Sequence, residues 1–270
     1  MMKNIFYVLV LVIAGFACVS AQNKTEKRDF CTENWSNGDK VSFSEVREMT
    51  LPSGSLNVDG KRNGGISVRG ESRSDISVRA CVRTWASTND EANSIAKKLR
   101  VETGGSLRAE GVDDEKNWSV SYEIRVPNNT NLNLSTINGG ISIVDVDGNI
   151  EFEAKNGGIH LKNLAGNVKG KTTNGGLHID LSGNTWKGNG LDVETTNGGV
   201  HLSMSENYAA RFETRTVNGG FKSEVSALNI EKKDDDRYRT SGVNIVKDIN
   251  GGGALVRVVT TNGGVKIESK

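Results

Sequence analysis

Proline occurs twice in 270 residues, cysteine three times, and aromatic residues make up 6%, against 32 glycines. The glycines lack the Gly-X-Y period of collagen, so backbone freedom is used at defined points, and strands with tight turns fit better than helices. An excess of either charge is also missing. With 34 basic and 33 acidic residues the formal net charge is +1, which removes the electrostatic case for a nucleic-acid partner. No run of about 18 apolar residues follows the N-terminal segment, so no transmembrane helix is expected. No Gly-x-Ser-x-Gly elbow, P-loop or His-Glu-x-x-His occurs, so no familiar catalytic motif and no cofactor is indicated. The length allows one large all-β domain or two ordinary ones.

What is present begins with a targeting segment. Lys3 supplies a positive start, Ile5 through Ala17 an apolar stretch, and Val19-Ser20-Ala21 a small-residue cleavage pattern. Residues 1–21 therefore read as a signal peptide and the mature chain starts at Gln22. A lipoprotein signal would instead cleave before Cys18 and acylate it, but Gly15 stands where that signal favours a leucine-like residue. Periplasm, cell surface and secretion all agree with export. In such an oxidising compartment, Cys31 and Cys81 are expected to pair rather than bind metal or act as nucleophiles. Closing that loop would stabilise by roughly 4 kcal/mol on the chain-entropy estimate. Two free thiols remain the alternative, because no sequence rule brings their Cβ atoms together.

Asn-Gly-Gly occurs eight times, and the copies at Asn138, Asn156, Asn174, Asn197, Asn218 and Asn262 are each followed by an apolar residue or phenylalanine. Successive spacings are 18, 18, 23, 21 and 44 residues, the last read as two repeat lengths with an insertion. A period near 20 marks stacked repeats. Alternation on both sides of the triplet marks half-buried strands: Leu132, Leu134 and Thr136, or Ile150, Phe152 and Ala154 before it, and Ile141 with Ile143, or Ile159 with Leu161 after it. Antiparallel hairpins would bring turns at about half this interval, so the reading is a single-stranded parallel β-helix, right-handed by the usual preference of parallel crossovers. Asn and Gly are expected at the corner because they tolerate positive φ. A looser corner recurs at Gly148-Asn149, Gly166-Asn167 and Gly183-Asn184. Outward columns follow, through Lys155, Thr173, Thr196, Val217 and Thr261, and through Glu153, Lys171, Glu194 and Arg215, where alternating sign favours neighbours. The asparagines are expected to form an amide ladder.

The domain reading is a signal peptide at 1–21, an irregular part at 22–130 and regular repeats at 131–270. Within the irregular part, Thr88 and Glu91 form a capping box for a helix at about 88–99. Val120, Tyr122, Ile124 and Val126 alternate as a strand ended by Pro127. The Asn-Gly-Gly repeats, the strand Tyr122-Glu123-Ile124-Arg125-Val126-Pro127 leading into Leu132-Asn133-Leu134-Ser135-Thr136, and the inserted helix together resemble the bacterial "putative adhesin" family of exported β-solenoid proteins. The likeness covers nearly all of the mature chain. It implies a right-handed solenoid and an envelope or surface location, and it brings no catalytic residues.

Three histidines, His160, His178 and His201, occupy the same slot in consecutive repeats. Stacking would make them a column with about 4.8 Å between neighbours, with Ser142 at one end and Lys222 at the other. Imidazoles ligate metals and titrate near neutrality, so a metal site or pH-sensitive strip competes with a plain solvated ladder. An open face does not offer the closed tetrahedral shell of structural zinc, and the metal assignment is none. Asp145-Val146-Asp147-Gly148-Asn149 has calcium-loop character but lacks the third acidic position and the closing glutamate. Asp234, Asp235 and Asp236 read as a solvated loop.

These features point to a non-catalytic, exported binding protein with surface glycans or proteins as partners, since repeats build extended surfaces without reactive groups. One alternative is a self-assembling envelope protein, pairing end to end through an edge at Val265 and Ile267. The other is a polysaccharide lyase or hydrolase, against which the outward positions show no dense aspartate cluster.

Overall fold

The computed structural model describes residues 30–31, 40–111, 116–229 and 242–270. The segment read as a signal peptide at 1–21, with Cys18, and the acidic run 231–237 lie outside the described residues. Strands dominate: β1 Val41–Pro52, β2 Leu56–Asp59, β3 Ile66–Glu71, β4 Asp75–Ala86, then helix α1 Asn89–Lys98 and β5 Arg100–Glu102. There follow β6 Leu107–Glu110, β7 Trp118–Pro127, β8 Leu132–Asn138, β9 Ile141–Val144, β10 Asp147–Asn156, β11 Ile159–Lys162, β12 Ala165–Asn174 and β13 Leu177–Asp180. The chain ends with β14 Gly190–Asn197, β15 Val200–Met204, β16 Ala210–Asn218, β17 Phe221–Ser223, β18 Val243–Ile249, β19 Leu255–Asn262 and β20 Val265–Ser269.

They form two ten-stranded sheets, ordered β1-β4-β7-β3-β9-β11-β13-β15-β20-β17 and β18-β16-β19-β14-β12-β10-β8-β2-β6-β5. Pairing is mixed. The middles are parallel, whereas β1 with β4, β4 with β7, β5 with β6 and β16 with β18 are antiparallel. This corrects the expected single-stranded parallel β-helix: strand order departs from chain order at both ends. β2 and β3 lie directly beside β8 and β9, and β19 enters between β14 and β16. The 44-residue interval therefore holds a reversal through β18 and not two ordinary repeats. Consequently Glu194 sits opposite Val259, and Arg215, expected next to it, lies one strand further on. β20 is interior, between β15 and β17, so Val265 and Ile267 offer no free edge.

Alternation still assigns faces correctly, because period 2 decides which side a residue takes whatever the strand's direction. Leu134, Ile150, Val168, Val193, Val256 and Phe212 from one sheet and Ile143, Leu161, Ile179, Leu202 and Ile267 from the other share one apolar cluster. The helix is capped by Thr88, whose hydroxyl accepts from Glu91 N–H at 3.3 Å. At its other end Arg47 of β1 donates to the carbonyls of Ala96 and Leu99 at 2.7 and 2.6 Å, a charged donor placed where a helix end has orphan acceptors.

The Asn-Gly-Gly corners continue the parallel pairing. Gly157 N–H donates to Asn174 O at 3.0 Å and Ile159 N–H to Gly176 O at 2.9 Å, and the same pair of bonds recurs along the stack. None of the six triplets has positive φ, which corrects the expected reason for glycine. The reason is contact. A Cβ on the first glycine would lie 1.9 Å from the neighbouring backbone at Gly157 and 2.1 Å at Gly175, Gly198 and Gly263. Left-handed residues sit at the opposite corner, at Asp145 (61°) and Asn163 (50°).

Around this close approach every repeat adds an asparagine bond, and all but the one with Ala154 in the threonine position add a hydroxyl bond. The asparagine amides form a continuous ladder, Asn218 to Asn262, Asn197, Asn174, Asn156, Asn138 and Asn63, with donor–acceptor distances of 2.7 to 3.1 Å. Two positions before the asparagine, the buried hydroxyls of Thr172, Thr195, Thr216 and Thr260 donate to first-glycine carbonyls of the neighbouring repeat at 2.7 to 2.9 Å. Gly157→Ala is expected to destabilise by about 1–3 kcal/mol, the range of overpacking. Gly158→Ala, whose Cβ would lie 3.7 Å from Gly176 O, is expected to change stability by less than about 1 kcal/mol. Urea midpoints at unchanged m-value test the contrast.

Candidate functional site

The short strands after the corners carry the histidines. Register places His160 beside Ser142, His178 beside His160, and His201 beside His178. The next position belongs to Lys266, and Lys222 follows it. Lys222 is thus separated from His201 by the inserted β20, which corrects its expected place next to the histidines. The sequence did carry a signal for Lys266: Gly264-Val265-Lys266-Ile267 has the same small-apolar-polar-apolar pattern as the histidine repeats.

The rings are not equally spaced in character. His178 and His201 stack face to face, centroids 4.6 Å apart and 3° from parallel, whereas His160 and His178 are tilted by 33° at 5.9 Å. Ser142 Oγ lies 3.4 Å from His160 Nδ1. At the other end Glu268 binds both neighbours: Oε2 is 2.9 Å from His201 Nε2, and Oε1 accepts from Lys266 Nζ. These bonds hold the Glu268 carboxyl below its usual range, the Lys266 bond being the larger influence, and raise Lys266. His178 is pushed below the ordinary 6.5, first by loss of solvation and then by positive charge on His201 and His160, with Glu268 opposing.

Beside this column runs a strip of second glycines, less tightly approached than the first: a Cβ would meet the neighbouring backbone at 3.7 Å at Gly158, 3.5 Å at Gly199, 3.3 Å at Gly176 and 3.2 Å at Gly264. Gly158, Gly176, Gly199, Gly264 and Gly220, with Phe221 and the three histidines and two lysines of the column, line an open groove of about 820 Å³, from which Ser142 is left out. Among the described residues no acidic side chain lines it. The groove floor is peptide plane and buried aliphatic side chain, and its wall is imidazole edge and ammonium. Such a strip can accept an extended ligand over several repeats, with a donor or acceptor offered at each.

Elsewhere the expected features resolve differently. Asp145 is committed to Arg69 at 3.1 Å and to the Asn163 amide at 2.7 Å, a corner pair and not a calcium loop. Among the described residues no cluster of three His, Cys, Asp or Glu could hold a metal ion. Cys31 and Cys81 are joined by a disulfide, Cα atoms 5.3 Å apart. Next to it Arg83 donates to Phe30 O at 2.8 Å, and Arg79 lies 5.1 Å over the Phe30 ring, so the bridge and two arginines tie residues 30–31 onto β4. Among the described residues no helix is long and apolar enough to cross a membrane.

No protein-family model matches the chain, and no curated protein matches it in sequence. Similar solved structures include a "putative cell adhesion protein" from Clostridium sporogenes, 11% identical with a TM-score of 0.41, matched over 85% of this chain and 100% of that one. A "putative adhesin" from Bacteroides fragilis is 10% identical, TM-score 0.29, over 84% of this chain and 97% of that one. A "putative lipid binding protein" from Parabacteroides distasonis is 8% identical, TM-score 0.25, over 83% and 96%. At such identities and TM-scores the likeness carries no argument about function.

Because folding lowers the His178 pKa, the unfolded chain binds more protons near pH 6, and this residue's contribution to stability falls as pH drops below about 6.5. An NMR titration is expected to place the His178 imidazole below 6.5 and to move it upward in His201→Gln, which removes a neighbouring positive charge. A His178 titration unchanged by that substitution would contradict the stacked column.

Proposed function

We propose that this protein is a non-catalytic, exported binding protein that holds an extended glycan or protein segment along the histidine–glycine groove. The observation that carries the reading is the groove itself: about 820 Å³, open along its length and lined by equivalent positions of successive repeats. That volume lies within the range of ligand sites, roughly 300–1,000 Å³, but its open form suits a chain better than an enclosed small molecule. Regular repeats give a linear ligand the same contact again at each step, so modest contacts add along its length.

Two observations support the remaining parts. The disulfide between Cys31 and Cys81 agrees with an oxidising compartment and with the leader read at residues 1–21. Among the described residues the groove lining offers no carboxylate pair for acid–base cleavage of a glycan, and the nearby Glu268 is already bound to His201 and Lys266. Self-assembly through Val265 and Ile267 loses its basis, because β20 is enclosed by neighbours.

The mature chain from Gln22, applied to immobilised glycans and matrix proteins, is expected to be retained without releasing new sugar ends. Replacing both His178 and His201 by Ala should weaken retention by about tenfold, equivalent to about 1.4 kcal/mol. Cleavage of the bound glycan, or retention indifferent to the groove, would contradict the reading.

A further inference from the structure

The groove along the histidine column has a period, and that period constrains what can lie in it. Its floor is the strip of second glycines, Gly158, Gly176, Gly199, Gly264 and Gly220, all five exposed. They lead into β11, β13, β15, β20 and β17, which are successive neighbours in one sheet. Equivalent positions therefore recur at the strand spacing of about 4.8 Å, and the five together span about 19 Å. The wall keeps a similar step, with ring centroids of His160, His178 and His201 separated by 5.9 and 4.6 Å.

An extended polypeptide does not match this step. It advances about 3.3 Å per residue and returns to the same face after about 6.6 Å, so it falls out of phase with the strip within two repeats. Nor does the floor offer carbonyls for strand pairing, the mode that gives extended peptides their affinity. Each of the five glycine carbonyls already accepts an N–H from the neighbouring repeat, from Ile141 on Gly158 at 3.1 Å to Val265 on Gly220 at 2.9 Å.

A β-1,4-linked pyranose chain is different. Each unit advances by about one ring length, close to the strand spacing of about 4.8 Å, and the chain forms a flat ribbon. Its C–H faces suit the glycine floor, and the half-buried Phe221 at the β17 end offers a further apolar surface. Hydroxyls project from the ribbon's edges, where imidazole both donates and accepts, and the central His178 is exposed. Charge agrees with a neutral chain. Glu268 is bound to Lys266 and His201, and His178, held below 6.5 by loss of solvation and its charged neighbours, is neutral at pH 7.

We propose that the groove holds one uncharged β-1,4-linked glycan chain running along the stack, one sugar per repeat over five repeats. This rests on the reading of the groove as the binding site and narrows its ligand to one class.

Calorimetry on the mature chain tests it with β-1,4-linked oligosaccharides of glucose, mannose and N-acetylglucosamine, from disaccharide to hexasaccharide, and with α-1,4-linked maltohexaose. In at least one β-1,4 series affinity is expected to rise about two- to tenfold per added unit, the net worth of about one hydrogen bond, and to level off at the pentasaccharide. Maltohexaose, whose linkage coils the chain, should bind at least about tenfold more weakly than that pentasaccharide. Both contrasts are read on the parent chain alone. Gly199→Leu places a side chain on the middle of the floor, where a Cβ would have its nearest neighbour at 3.5 Å. With a melting temperature near the parent's, it should lower pentasaccharide affinity to about that of the disaccharide. Affinity that does not grow with length, equal binding of maltohexaose, or indifference to Gly199→Leu would overturn the proposal. If none of the three series binds while matrix proteins are retained and released by replacing His178 and His201 with Ala, the groove stands and the glycan assignment is overturned. If neither glycan nor protein is held there, the reading of the groove fails with it.

Discussion

The close approach of one repeat's backbone to the next at the first glycine of each Asn-Gly-Gly triplet governs the rest of the structure. A Cβ there would sit about 2 Å from a neighbouring carbonyl at Gly157, Gly175, Gly198 and Gly263, so a register slip that put any other residue at the contact would collide. The asparagine ladder and the threonine hydroxyls add hydrogen bonds on either side of it. Each is worth only about 0.5–1.5 kcal/mol net. Their main effect is on specificity: together with the glycine contact they permit one alignment of neighbouring strands and penalise its alternatives.

Fixed register turns side-chain identity into columns. On the outer face of one sheet Glu151, Lys169, Asp192, Arg257 and Glu213 are successive neighbours of alternating sign, which keeps that face soluble and self-neutralised at little gain per pair. On the other sheet the corresponding slot runs Ser142, His160, His178, His201, Lys266 and Lys222. This second column borders the strip of second glycines and the larger groove, whereas the charged column of the first sheet lines a smaller concavity of about 390 Å³. The N-terminal antiparallel strands close the same corner with Arg83 and Trp85. The groove therefore depends on the repetition of the corner.

Faces and the asparagine ladder could be read directly from the residues, because period 2 and the repeated triplet specify them. Strand direction and order could not. Val78, Ala80 and Val82 alternate identically in a parallel or an antiparallel partner. Phe212, Thr214 and Thr216 of β16 and Val256, Val258 and Thr260 of β19 present equivalent faces to β14, so the pattern gives no reason to prefer the strand that follows first in the chain. That ambiguity misplaced Lys222 and hid Lys266, and it made β20 look like a free edge. The glycine requirement was misassigned for a related reason: positive φ is a property of one residue, whereas the contact at Gly157 involves the backbone of another repeat.

The central claim, that β19 is held in register between β14 and β16, can be tested by cross-linking at the outward position before the asparagine. Thr196 and Thr261 each lie between the paired positions Thr195 with Thr260 and Asn197 with Asn262, and Val217 between the pairs Thr216 with Thr260 and Asn218 with Asn262, so adjacent backbones should be about 4.8 Å apart and within reach of a disulfide. Thr196 and Val217 are two strands apart, about twice that distance. Oxidation of the double variant Thr196→Cys, Thr261→Cys is predicted to give an intramolecular disulfide, and Thr196→Cys, Val217→Cys to give none. Efficient bridging in the second pair and failure in the first would show that the repeats stack in chain order and would contradict the account.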